Sequence, residues 1–110
     1  MAWIEIPSEY LNEKGKVQLV ELPEGSFCLV YDKDKWVAFS KKCPHAGAPL
    51  VAGWCEAGDI VCAYHRHRFS LATGRGAAGQ GNYISLYPLR WEGDTLYIAL
   101  KDSFFKRLLR

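Results

Sequence analysis

Cys43-Pro44-His45-Ala46-Gly47-Ala48-Pro49-Leu50 and Cys62-Ala63-Tyr64-His65 are two Cys/His pairs, each on turn-forming sequence, with sixteen residues between His45 and Cys62. Each pair offers one thiolate and one imidazole. Thiolate is soft and strongly donating; imidazole is neutral and titratable. Two of each close a tetrahedral metal site or divide across a binuclear cluster. The spacings Cys-x-His and Cys-x-x-His on separate loops make a more specific signal than one Cys-x-x-Cys.

Outward from this pair of motifs the chain changes character. Residues 41 to 81 hold all three histidines, three of the four cysteines and most of the glycines. Such a stretch reads as a site built from loops on a strand scaffold. On either side lie short apolar runs bounded by turns. Trp3-Ile4-Glu5-Ile6 stops at Pro7, and Val17 to Leu22 stops at Pro23-Glu24-Gly25. Phe27 to Tyr31 and Trp36 to Phe39 flank a polar Asp32-Lys33-Asp34-Lys35 loop. Tyr83 to Leu89 and Thr95 to Leu100 flank Trp91-Glu92-Gly93-Asp94. Five or six strands at this spacing predict an all-β fold, a small antiparallel sandwich or barrel. Residues 101–110 have the pattern of a short helix, with Phe104, Phe105, Leu108 and Leu109 on one face.

The 110-residue length suits one domain, 1–110, with no room for a catalytic domain beside an electron-transfer one. A formal charge of +2 gives no case for nucleic acid as a partner. No run approaches the ~18 apolar residues of a membrane span. Met1-Ala2-Trp3-Ile4-Glu5 lacks the basic and apolar regions of a secretion signal. A cytoplasmic location is expected, with the cysteines as thiols or metal ligands rather than a disulfide framework.

The motifs at 43–50 and 62–65, with Phe69 and the Leu71-Ala72-Thr73-Gly74 turn, resemble the Rieske [2Fe–2S] family, ferredoxin type. The specific part of the likeness spans residues 43 to 76. The resemblance implies one [2Fe–2S] cluster, with Cys43 and Cys62 on one iron and His45 and His65 on the other. It places the cluster at the tip of a cluster-binding subdomain, about 41–76, inserted in the sandwich. Two neutral imidazoles in place of two thiolates leave the oxidised cluster formally neutral and the reduced one singly negative. The potential therefore rises, to roughly −150 to +300 mV. High-potential members carry a disulfide between the loops and a Ser beside a bridging sulfur. Ala48, Tyr64 and His67 stand at those positions, which implies the low end of that range. Arg66 departs from the family pattern, where ferredoxin-type members usually have Gly.

The family implies a one-electron carrier, not itself an enzyme, between a reductase and an oxygenase or other terminal oxidoreductase. The small subunit of an assimilatory nitrite reductase is the alternative, and a non-redox module with structural zinc a third reading. Lys41, Lys42, Arg66, Arg68 and Arg75 outnumber Glu56 and Asp59 around the motifs and predict a basic tip for an acidic partner. Gly74-Arg75-Gly76-Ala77-Ala78-Gly79 matches a dinucleotide fingerprint in pattern, but no helix is expected after it, so a loop is predicted. A mononuclear iron site of two further histidines and a carboxylate cannot be assembled, because only His67 remains.

Overall fold

Strand β3 (Gly25–Asp32) explains the architecture. Its centre, Phe27-Cys28-Leu29-Val30, is wholly buried, so it has no polar face to alternate with. Phe27 and Leu29 enter one apolar cluster with Ile6, Val20, Ala38, Leu96 and Ile98. Cys28 and Val30 enter another, with Val37, Phe39, Leu50, Ile60, Phe69 and Leu71. Side chains alternate across a strand, so one sheet separates two cores.

The computed structural model describes residues 3–44, 47–64, 66–77 and 82–100. The helix expected at 101–110 lies outside them. The middle sheet is antiparallel, in the order β2 (Gln18–Leu22), β3, β4 (Lys35–Phe39), β8 (Leu86–Tyr87). A second sheet, β1 (Trp3–Glu5), β10 (Thr95–Ala99) and β9 (Leu89–Glu92), closes the first core. A third, β5 (Trp54–Glu56), β6 (Asp59–Val61) and β7 (Arg68–Ser70), closes the second. The fold is all-β and antiparallel, with the cysteine-bearing insert between β4 and β8 packed on the far face of the sandwich.

Two expectations change in detail. The 41–81 stretch is not built from loops alone, because β5 to β7 form a sheet of their own. A two-residue turn creates its first hairpin: Glu56 pairs with Asp59, and Ala57 (φ 52°) and Gly58 (φ 84°) both adopt the left-handed conformation that such turns require. Lys33 (φ 51°) and Asp34 (φ 66°) make the same kind of turn between β3 and β4 without a glycine. Second, the run Tyr83 to Leu89 is not one strand. Pro88, with no N–H to donate, separates β8, which pairs with β4, from β9, which pairs with β10. Trp91 accordingly lies within β9, opposite Leu96.

Candidate metal centre

The two cysteine motifs fold into matching turns. In the first, the Gly47 amide donates to the Cys43 carbonyl (2.7 Å), and the Cys43 amide donates to the Ala48 carbonyl (2.8 Å). In the second, the Arg66 amide donates to the Cys62 carbonyl (3.0 Å), and the Cys62 amide to the His67 carbonyl (2.8 Å). Each cysteine thus bonds to the residue four places on and the residue five places on. The fourth residue is left-handed in both, Gly47 at φ 70° and Arg66 at φ 57°. One turn is anchored by the Lys42–Pro49 bridge and the Leu50 amide on the Lys41 carbonyl; the other rises from the β6–β7 rung Val61–Arg68.

Both cysteines are buried in the same apolar cluster. Cys43 and Cys62 are each 1% exposed and belong to one apolar cluster with Leu50, Ile60 and Phe69. Two buried sulfurs at equivalent positions of twin turns fit a group that takes thiolates, since a metal binds cysteine in its deprotonated form. His45 and His65, the other half of the expected donor set, lie outside the described residues. Pro44, Gly47, Ala63, Tyr64 and Arg66 around them are exposed, so both turns open to solvent.

The other two cysteines are different in kind. Burial pushes the Cys28 thiol up to about 12, with Lys41 opposing the shift. Burial and then the Asp32 carboxylate push Cys55 up to about 11. Cys55 lies on β5 rather than in a turn, and neither is poised to be a thiolate. Ala48 is buried while Tyr64 is exposed, and no disulfide links the two turns there.

The expected basic tip loses one member. Arg68 is tied down on its own sheet: Nη1 lies 2.6 Å from Glu56 Oε1, Nε 3.0 Å from Asp59 Oδ2, and Nη2 donates to the Glu56 carbonyl (2.9 Å). Hydrogen bonding and charge from Arg68 hold the Glu56 carboxyl below its ordinary range, with smaller contributions from Trp54 and Arg66. Lys41, Lys42, Arg66 and Arg75 remain exposed. The sequence count missed this network, whose signal was the Glu56–Asp59 hairpin facing Arg68 across β6. The described part of the glycine-rich stretch, Gly74 to Ala77, is tied to the neighbouring chain by backbone pairing. Gly74 and Ile84 are hydrogen-bonded (2.7 Å), and Phe69–Gly76 and Arg75–Tyr83 form bridges. Gly74 is needed here: its φ is +80°, and a Cβ would sit 2.4 Å from the Ile84 carbonyl oxygen.

Residues 2–84 match the family model of the Rieske [2Fe–2S] domain. The chain belongs to this family. Its domain type binds one [2Fe–2S] cluster, the group that the paired buried thiols fit. The chain is 31% identical over 100 residues to the ferredoxin component of the naphthalene 1,2-dioxygenase system of Pseudomonas aeruginosa, covering 89% of this chain and 95% of that one. It is 42% identical over 62 residues to apoptosis-inducing factor 3 of mouse and human, covering 56% of this chain but only 10% of theirs. It therefore spans about a tenth of those relatives' length. The fold superposes on the ferredoxin of carbazole 1,9a-dioxygenase from Nocardioides aromaticivorans with a TM-score of 0.76 at 24% identity, covering 90% of this chain and 98% of that one.

Proposed function

We propose that this Rieske protein is a one-electron carrier of the ferredoxin type, taking electrons from a reductase and delivering them to an oxygenase or another terminal oxidoreductase. The observation that carries the reading is the pair of twin turns with both cysteines buried in one cluster. Cys43 and Cys62 hold one iron, and His45 and His65 the other. When bound, the cluster accepts and releases one electron at a potential raised by its neutral ligands.

This chain's own residues supply the rest. Leu50, Ile60 and Phe69 keep water from the sulfur side. The exposed turn residues allow a partner's close approach on the histidine side. Lys41, Lys42, Arg66 and Arg75 form a positive rim for an acidic partner, and the contact is small and salt-sensitive, as transient redox encounters are. No acid/base machinery is needed, and the protein is not itself a catalyst. The naphthalene dioxygenase ferredoxin, alike over nearly its whole length, supports delivery to an oxygenase.

The test is anaerobic purification followed by reduction, with EPR and with iron, sulfide and zinc measured on one sample. A histidine-ligated [2Fe–2S] signal supports the reading. A single zinc with no paramagnetic signal refutes it. A large partner retained through high-salt washing would instead favour the role of a nitrite reductase small subunit.

A further inference from the structure

Arg66 occupies a backbone conformation that disfavours it. Its φ of 57° is left-handed, and the twin position in the first turn is a glycine, Gly47, at φ 70°. At Gly47 a Cβ would meet nothing within 4 Å, so sterics do not forbid side chains in such a turn; the cost is in the backbone itself. Strain that a glycine would remove, next to a functional residue, points to a use for the side chain.

The side chain is a cation in an exposed position, one residue after His65. Glu56 feels its charge only weakly, because Arg68, bonded to Glu56 at 2.6 Å, is the dominant influence on that carboxyl. Pairing with Glu56 is therefore a poor account of Arg66. Arg66 itself stands in the second cysteine turn, its amide bonded to the Cys62 carbonyl. There the formal charge of cluster and ligands passes from zero to minus one when one electron enters from the reductase.

We propose that Arg66 is a fixed positive charge that biases the bound cluster towards its reduced form, a role for which the strained turn is retained. This rests on the electron-carrier reading above. A nearby cation stabilises the added electron by Coulomb attraction, and salt weakens that attraction at an exposed site.

The experiment is potentiometric titration of the cluster-loaded wild type, Arg66→Gln, Arg66→Asn, Arg66→Lys and Arg66→Gly, each at low and high salt, with thermal melting alongside. Asn tolerates the left-handed region, so Arg66→Asn guards against a folding defect in the Gln variant. Expected is a lower midpoint potential in the Gln, Asn and Gly variants and a wild-type potential in the Lys variant. The differences shrink at high salt, and Arg66→Gly melts higher than wild type. A neutral variant that loads its cluster and keeps the wild-type potential overturns the proposal. If the wild type itself shows no [2Fe–2S] signal, the carrier reading fails with it, a result visible before any variant is titrated.

Discussion

Gly53 sits where the structure allows no side chain, and replacing it tests the geometry directly. It ends the short 3-10 turn Leu50–Ala52, donating its amide to the Leu50 carbonyl at 2.9 Å. Its φ of −88° is ordinary for any residue, so Gly53→Ala adds no left-handed strain. The effect is purely steric. An added Cβ would lie 2.1 Å from the Val61 carbonyl oxygen and 3.2 Å from that of Leu50. Real Cβ contacts stop near 3.0 Å, so the backbones must part by about 0.9 Å in close-packed surroundings. Neither neighbour is a side chain that can rotate away. Overpacking costs about 1–3 kcal/mol, and an immovable backbone neighbour places this substitution near ~3 kcal/mol.

The displacement falls on the Trp54–Val61 rung, one residue before Cys62. It should therefore loosen the second cluster turn as well as the fold. Denaturant melts of the apoprotein give the stability, and visible absorbance per chain gives cluster retention. The expected result is a drop in Tm of roughly 10 °C or more with faster cluster loss. Gly47→Ala is the control: its Cβ enters open space, and left-handed strain alone costs about 1 kcal/mol. A Gly53→Ala protein as stable as wild type, or more stable than Gly47→Ala, refutes the packing described here.

Phe69→Ala empties the centre of the core shared by the cysteines and should cost about 3–5 kcal/mol, read from denaturant midpoints; a cost below ~1 kcal/mol would contradict the Ile60–Phe69 pairing. Arg68→Gln should flatten the acid limb of the stability curve. Because Glu56 is held below its ordinary value of 4.5, its contribution is present above pH 4.5 and is lost as pH falls further, and the variant lacks that loss. On the alkaline side the sign reverses. Cys28 and Cys55 keep their protons in the fold beyond their ordinary value of 9.0, so stability declines as pH rises from 9 through 11. Alkylation of Cys55 followed by mass spectrometry should speed up with pH up to about 11; fast labelling at pH 8 would contradict its burial.

The cysteine spacings marked the two turns of the candidate site. Cys-x-His and Cys-x-x-His pointed to the two turns in which Cys43 and Cys62 are buried, while their histidines lie outside the described residues, and the apolar runs at 27–31 and 36–39 named the strands of the central sheet. Three things were not legible, each for a physical reason. The β5–β6 hairpin turns on Ala57-Gly58, a weaker signal than Asn-Gly, so the insert read as loop. Arg68 was counted among the tip cations because linear sequence cannot show that it reaches Asp59 on the adjacent β6 and, beyond it, Glu56 on β5. The equivalence of Gly47 and Arg66 was hidden because the two motifs differ in histidine spacing while their backbones close with the same hydrogen bonds.

The central claim is a cluster held by two thiolates and two imidazoles, and pulsed EPR of the reduced protein tests it most directly. The account predicts couplings from two coordinated imidazole nitrogens, with two irons and two sulfides per chain as a [2Fe–2S] cluster requires, and loss of one nitrogen coupling in His45→Cys and in His65→Cys. A cluster signal without coordinated nitrogen, or couplings that persist in both variants, would contradict it.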